Sequence, residues 1–191
     1  YVDTLIQGGE LRMMTGNMVV NDLYEDYLGG NYIVQGGSLE IHQDASSSID
    51  LVGDITIDGG TMSVHGGSGD SFWPRQVGGN YPTVTMSDGI IDFVDNGIRV
   101  EGEPLMNYNV TTNITGGTIR TAGDFLCQGA GTNFNPTGGA VEMYGSSTTY
   151  CRMLNGNSFW DLHISKTGGG EVYNSFGIDV QNHLKINSGI F

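Results

Sequence analysis

The chain has 191 residues, with 32 glycines, 4 prolines and a net charge of −14 that results from 21 acidic and 7 basic side chains. That length suffices for one domain with a sizeable core, while the acidic balance argues against nucleic acid and anionic lipid as partners. Glycine without matching proline argues against collagen and against a disordered linker, and no apolar run has the length of a transmembrane helix.

The first part of the chain predicts short strands separated by turns. Residues 1–20 contain two apolar, alternating stretches, and residues 21–31 interrupt the alternation with an acidic, aromatic segment. We expect that segment to be a projecting loop or a single helical turn. Alternation resumes at Tyr32 and continues, with a polar interruption at 42–48, to Ile57.

Residues 65–82 form the longest insertion between predicted strands. Phe72, Trp73, Arg75 and Tyr81 lie in it among glycines. Large aromatic side chains on a loop held by a rigid scaffold are typical of binding sites, so these four residues are the predicted ligand-binding residues. The alternative, which we favour, is that Phe72 and Trp73 fold back over the end of a sheet.

Glycine turns recur along the chain at a nearly regular spacing. The turn glycines are Gly9, Gly37, Gly60, Gly89, Gly117 and Gly139, and they are separated by 28, 23, 29, 28 and 22 residues. A repeat of this length is typical of solenoid proteins. Each coil is expected to hold one strand before the glycine turn, one after it and a third beyond a further turn.

The residues that follow each glycine turn alternate in polarity. The predicted inward positions are Leu11, Leu39, Met62, Ile91, Ile119 and Val141, followed two residues later by Met13, Ile41, Val64, Phe93, Thr121 and Met143. Thr121 is the one polar residue among them. This pattern predicts a continuous core in which Leu39, Met62, Ile91 and Ile119 contact one another in a file.

The residues between these inward positions face outward. They are Arg12, Glu40, Ser63, Asp92, Arg120 and Glu142. Stacking the repeats predicts that Arg12 pairs with Glu40, and Arg120 with both Asp92 and Glu142, which is favourable on neighbouring strands. The sequence therefore predicts an all-β protein: a right-handed parallel β-helix of about seven coils, three short strands each, forming one domain over residues 1–191.

The two cysteines, Cys127 and Cys151, lie about one repeat apart. They are expected to stack, either as a disulfide or, as we favour, as two buried thiols, because in-register parallel strands have poor geometry for a disulfide bond.

Residues 157–191 follow a different pattern. Trp160, Leu162 and Ile164 alternate, as do Ile178 and Val180, and then Leu184 and Ile186. Phe159 and Leu162 do not share a face of an ideal strand, so a bend is expected near Trp160.

This last segment resembles a repeat common in large secreted proteins of Bacteroidetes-type bacteria. The resemblance rests on Phe159, Leu162, Ile164 and Gly168-Gly169, and on a closing stretch, Leu184 to Phe191; Asp161 stands where the pattern has asparagine. It implies a parallel β-helix in an extracellular or cell-surface protein, adhesin-like or stalk-like, of the kind exported by the type IX system. It implies no catalytic residues.

Catalytic and metal-binding motifs are weak. Asp88, Asp92 and Asp95 lie on one coil near Arg120, which suggests a polysaccharide lyase or hydrolase, but surface ion pairs and a turn aspartate account for them. The only lysines available as a general base are Lys166 and Lys185, and both lie in the C-terminal segment 157–191.

Metal-binding patterns are equally weak. The segment 66–70 is one residue short of the G-G-x-G-x-D pattern of a calcium-binding nonapeptide, and it occurs once. His42, His65, His163 and His183 have no ligand spacing with one another or with a cysteine. No catalytic residue, metal or cofactor is predicted.

The expected function is that of a non-enzymatic structural or adhesive segment, extracellular or at a cell surface. Partners would be other segments of a larger protein, neighbouring copies, surface glycans or secretion machinery, contacted through side loops at 22–27 and 72–81. Because the sequence starts at Tyr1 and stops at Phe191 inside an apparent strand, we expect a piece of a longer protein. The alternative is a glycan-binding or glycan-cleaving β-helix.

Overall fold

Strands dominate the structure. A computed structural model describes residues 10–20, 27–28, 31–42, 50–51, 54–65, 71–72, 83–95, 97–101, 110–128, 132–154, 156–174 and 176–191. Every helix or strand assigned within these ranges is a β-strand. The all-β prediction is therefore confirmed for the described residues.

Among the described residues, the larger of two sheets is built from 11 strands. They are β1 (Glu10–Met13), β2 (Asn17–Val20), β4 (Asn31–Val34), β5 (Ser38–His42), β7 (Ile55–His65), β9 (Thr83–Phe93), β11 (Val110–Thr121), β13 (Thr132–Asn133), β14 (Gly138–Gly145), β16 (Phe159–Lys166) and β18 (Val180–Ser188). Its main path contains eight strands in the order β1-β4-β7-β9-β11-β14-β16-β18.

The smaller sheet contains seven strands. They are β3 (Tyr27–Leu28), β6 (Asp50–Leu51), β8 (Ser71–Phe72), β10 (Ile98–Glu101), β12 (Phe125–Gln128), β15 (Thr149–Met153) and β17 (Val172–Asn174). All strand pairs in both sheets are parallel. The chain visits the two sheets in turn, and each return to the larger sheet adds one strand to its main path.

The predicted core file is confirmed. Leu39 is in register with Met62, Met62 with Ile91, and Ile91 with Ile119. Each of these side chains is at most 1% exposed. The file exists because alternate residues of a strand face one side, and in-register parallel pairing places equivalent residues of successive strands next to one another.

In the middle of the chain, the predicted strands before and after each glycine turn form one continuous strand. β7 and β9 are single strands of 11 residues and β11 has 12, each running through its glycine turn. The pairing register of β7 with β9 shifts at the glycine turn, between Asp58 and Thr61. The turn is therefore a bend within a paired strand, because the neighbouring strand bends at the same place.

The predicted pairing of the first coil is wrong. Arg12 is in register with Ile33, and Glu40 lies between Val19 and Ser63, so Arg12 and Glu40 are not cross-strand neighbours. The turn that stacks on Gly37 is at Gly16, whose carbonyl accepts a hydrogen bond of 2.8 Å from Ser38 N. The first two strands therefore pair with different strands from those that the repeat predicted.

A cluster of three aromatic rings joins the two sheets. Phe125 of β12 lies 5.4 Å from Phe134 and 5.1 Å from Phe159 of β16, measured between ring centroids. All three side chains are fully buried. Edge-to-face and tilted packing of this kind stabilises a core beyond simple burial of area.

The bend predicted near Trp160 is confirmed. Phe159 and Leu162 are both fully buried, although they are three residues apart on one strand. The pairing of β16 with β18 is irregular between Phe159 and Asp161. Trp160 is half-buried and is not part of the core, since the irregularity turns Phe159 inward in its place.

The cysteines are free and buried, as the favoured alternative predicted. The predicted stacking of the two residues is wrong: Cys151 is in register with Phe125 and Cys127 with Met153, so the two thiols are offset by two residues on adjacent strands. Burial raises the pKa of Cys127 to about 12 and also raises the pKa of Cys151. Both groups are therefore thiols at neutral pH and are poor nucleophiles.

Candidate functional site

The outer face of β9, β11 and β14 carries an ion-pair network centred on Arg120. Its guanidinium donates a hydrogen bond of 2.8 Å to Asp92 and another of 2.9 Å to Glu142. The Tyr144 hydroxyl donates to Asp92 at 2.8 Å, and the guanidinium lies 4.4 Å from the centroid of the Tyr144 ring. The predicted pairing of Arg120 with both carboxylates is therefore confirmed.

The network favours the charged form of Glu142 and the neutral form of Tyr144. Burial acts to raise the pKa of Glu142, but hydrogen bonds from Ser165 and Arg120 outweigh it and hold that pKa below its ordinary value. Burial and the hydrogen bond to Asp92 raise the pKa of Tyr144. Glu142 thus remains ionised at neutral pH and is not placed to act as a general acid, and Arg120 engages both carboxylates.

The other two aspartates of this coil have separate roles. The Asp88 carboxylate accepts a hydrogen bond of 2.7 Å from Gly89 N in the turn. The Asp95 carboxylate lies 3.7 Å from His65 Nδ1. The hydrogen bond from Gly89 confirms the prediction that Asp88 is a turn aspartate.

Lys166 is buried at the end of β16, with 1% of its side chain exposed. Its ammonium donates to the backbone carbonyls of Tyr144, at 2.7 Å, and Ala122, at 3.3 Å. Burial lowers its pKa to about 8, and the charge of Asp124 acts in the opposite direction. A side chain enclosed in this way holds neighbouring turns together and has no access to a substrate.

An exposed aromatic patch lies on the outer face of β15 and β17. We call Tyr150, Arg152, Tyr173 and Phe176 the aromatic patch. The rings of Tyr150 and Tyr173 lie 5.9 Å apart on adjacent strands and are 45% and 49% exposed. The Arg152 guanidinium lies 6.0 Å from the Tyr150 ring and 5.8 Å from the Phe176 ring.

A small cleft separates Trp160 from the turn at Gly138-Gly139. Its wall also includes Ile114, Phe134 and Pro136. The space available to water is about 10 Å³, which is enough for a single molecule at most. This cleft is too small for a sugar ring.

A group of metal-ligating side chains lies on the outer face of β5 and β7. Ligand atoms of Glu40, His42 and His65 all lie within 4.8 Å of one another. His42 and His65 are 23 residues apart in sequence, so the short spacing typical of metal-binding motifs does not reveal them as a pair. Both stand five residues after a turn glycine, Gly37 or Gly60, and that equivalence in the repeat predicts that they are neighbours.

The four predicted ligand-binding residues lie mostly outside the described residues. Trp73, Arg75 and Tyr81 lie within 73–82, which is outside the described residues, and so are the calcium-like segment 66–70 and residues 22–26 of the predicted side loop 22–27. Phe72 belongs to β8, where its backbone is in register with Arg99 and Asp50. Binding by these residues stays a prediction.

The last strand of the larger sheet presents apolar side chains to solvent. Leu184 and Ile186 of β18 are 48% and 51% exposed, although they are in register with the fully buried Leu162 and Ile164. Ile190 is 62% exposed. The core file therefore reaches β18 without being covered there by any described residue.

Comparison of the chain with protein-family models, curated proteins and solved structures found no match. Within the described ranges, none of the elements is a helix with the length and apolarity needed to cross a lipid bilayer.

Proposed function

We propose that the chain is part of a right-handed parallel β-helix with a non-enzymatic, structural or adhesive role outside the cell or at its surface. The alternation of the chain between two parallel sheets supports this architecture, since each return adds one strand to the stack. Right-handed connection is the rule for parallel crossovers. The seven strands of the smaller sheet then correspond to seven coils.

The apolar edge of β18 is the observation that carries the structural role. Leu184 and Ile186 continue the core file and are half-exposed. An edge strand with unpaired backbone groups and apolar side chains is a template for a further parallel strand. We propose that another coil of the same architecture stacks on this edge, which would extend the rod end to end.

A role without catalysis agrees with the state of the ionisable groups. Asp92 and Glu142 are both held by Arg120, and Lys166 is enclosed by backbone carbonyls. Repeat scaffolds of this kind support many functions, so the fold alone assigns none. The extracellular location rests on the sequence resemblance of residues 157–191.

We expect the chain to associate end to end as its concentration rises. The double variant Leu184→Lys/Ile186→Lys places two charges on the edge and should abolish association, because burying unpaired charge is costly. Sedimentation velocity over a concentration series measures the assembly state, and negative-stain electron microscopy shows the shape of the particles.

The matched control for this experiment is Lys185→Glu, which changes a neighbouring exposed residue without altering the apolar positions. A chain that stays monomeric at the highest concentration, and whose thermal midpoint is the same with and without the two lysines, would contradict end-to-end stacking.

Glycan binding is the second candidate function, and the aromatic patch is the observation that favours it. Tyr150 and Tyr173 form a two-ring ladder on adjacent strands, with Arg152 beside it. Exposed aromatic rings with nearby polar groups provide amphipathic contact area. Sugar rings, which have apolar faces and polar rims, match this chemistry.

Tyr150→Ala and Tyr173→Ala should each weaken oligosaccharide binding by roughly 2–10-fold, because an aromatic contact contributes about 0.5–1.5 kcal/mol. Tyr150→Phe keeps the ring and should bind as the wild type does. Titration of a panel of neutral and acidic oligosaccharides, followed by NMR chemical shifts, measures the effect. If the alanine variants bind as the wild type does, the aromatic patch is not the binding site.

A further inference from the structure

A histidine pair lies on the outer face of the larger sheet. His42 of β5 is in register with His65 of β7, so the two side chains project from neighbouring parallel strands on the same side. Glu40 precedes His42 by two residues and therefore projects from the same face. The placement of all three side chains is a direct result of the strand register.

Their geometry brings nitrogen and oxygen ligands together. The imidazole rings are parallel within 2°, with centroids 4.4 Å apart. Glu40 Oε2 lies 3.4 Å from His42 Nε2. One ligand atom from each of the three residues lies within 4.8 Å of the others. Tetrahedral zinc with bonds of about 2.1 Å requires ligand atoms roughly 3.4 Å apart, so the distances between the ligand atoms need to shorten by at most about 1.4 Å.

That contraction is available to these side chains. The exposed fractions are 37% for His42, 41% for Glu40 and 26% for His65, so each side chain has room to rotate. The backbone beneath them is held by the core file, since Ile41 and Val64 are buried. Metal binding would therefore change side-chain torsions without disturbing the sheet.

Asp95 supplies an outer contact of the kind found around metal-bound histidines. Its carboxylate lies 3.7 Å from His65 Nδ1, on the turn after β9. Because Asp95 lies on the Nδ1 side of the ring, the other ring nitrogen, Nε2, is the one that would bind the metal.

We propose that Glu40, His42 and His65 form a binding site for a divalent transition metal of the zinc and copper class. Two imidazoles and one carboxylate suit these borderline ions, whereas calcium and magnesium prefer ligand sets made of oxygen alone. The net charge of −14 raises the local concentration of any dication. Three protein ligands leave a coordination position open to solvent or to a partner's side chain.

The test is isothermal titration of the metal-free chain with ZnCl₂ at pH 7.5, repeated with CuCl₂. We expect one high-affinity equivalent of Zn²⁺, tighter binding of Cu²⁺, and a thermal midpoint that rises with Zn²⁺. His65→Gln and His42→Gln should each weaken binding at least roughly 10–100-fold and cancel the rise. Glu40→Gln should weaken it less.

His183→Ala is the matched control, because it removes an exposed histidine on β18 and should leave Zn²⁺ affinity unchanged. Circular dichroism and the metal-free thermal midpoint establish that each variant is folded. If a glutamine variant fails to fold, the electron paramagnetic resonance spectrum of Cu²⁺ bound to the wild type tests the site instead. Two nitrogen ligands give that spectrum a characteristic hyperfine pattern. Absence of a high-affinity equivalent, or equal affinity in the wild type and both glutamine variants, would overturn the proposal.

Discussion

Leu162→Ala is expected to lower the free energy of unfolding by about 2–5 kcal/mol, because it removes buried methyl groups and leaves a cavity in a closely packed core. Leu162 is fully buried and lies in the file between Val141 and Leu184. The file is narrow, and the paired backbones on either side leave little room for collapse. Urea unfolding followed by circular dichroism measures the change.

Leu184→Ala is the matched control for Leu162→Ala. The same residue type occupies the next position in the same file, but it is 48% exposed. Its replacement should therefore cost about 1 kcal/mol or less. Equal losses of unfolding free energy in the two variants would mean that the edge of β18 is covered in solution. Under conditions in which the chain associates, the proposed stacking predicts that the loss caused by Leu184→Ala increases towards that of Leu162→Ala.

Gly139→Ala is expected to destabilise the protein by about 2–5 kcal/mol, the sum of left-handed backbone strain and overpacking. Gly139 has a φ of +79°, and a Cβ there would lie 2.7 Å and 2.8 Å from the carbonyl oxygens of Gly116 and Gly117. Those atoms belong to the turn stacked on it and are held by the paired strands. The thermal midpoint, measured by calorimetry, should fall accordingly.

Gly169→Ala separates the two contributions to this effect. Gly169 has a nearly equal φ of +85°, but no atom lies within 4 Å of a Cβ placed there. In Gly169→Ala only the left-handed backbone strain should remain, so we expect a destabilisation of about 1–2 kcal/mol. If Gly139→Ala costs no more than Gly169→Ala, the close stacking of the turns does not contribute to stability.

Local pattern predicted the strands well. The inward file through Ile91 and Ile119, the two partners of Arg120 and the bend at Trp160 all follow from alternation and spacing. Alternation succeeds because each strand residue exposes one face to the core and the other to solvent, whatever its partner is. The inward position of Lys166 follows from the same rule, since it continues the alternation of Leu162 and Ile164.

Pairing of the first coil could not be predicted in the same way. Gly9 and Gly16 both precede alternating residues, and either could begin a repeat. The pairing of β2 with β5 selects Gly16, at a distance of 21 residues from Gly37 instead of 28. Register depends on the contacts of whole strands and on loops of unequal length, and neither is visible in one local pattern.

The candidate sites depend on the tertiary structure more than the strand positions do. His42 and His65 become neighbours only through the register of β5 with β7, and Tyr150 meets Tyr173 through that of β15 with β17. The sequence alone determined the strand positions, the turn glycines and the side each residue faces, because these follow from backbone geometry over a few residues. The tertiary structure decided which distant side chains meet and that β18 is exposed, because both depend on how the strands stack.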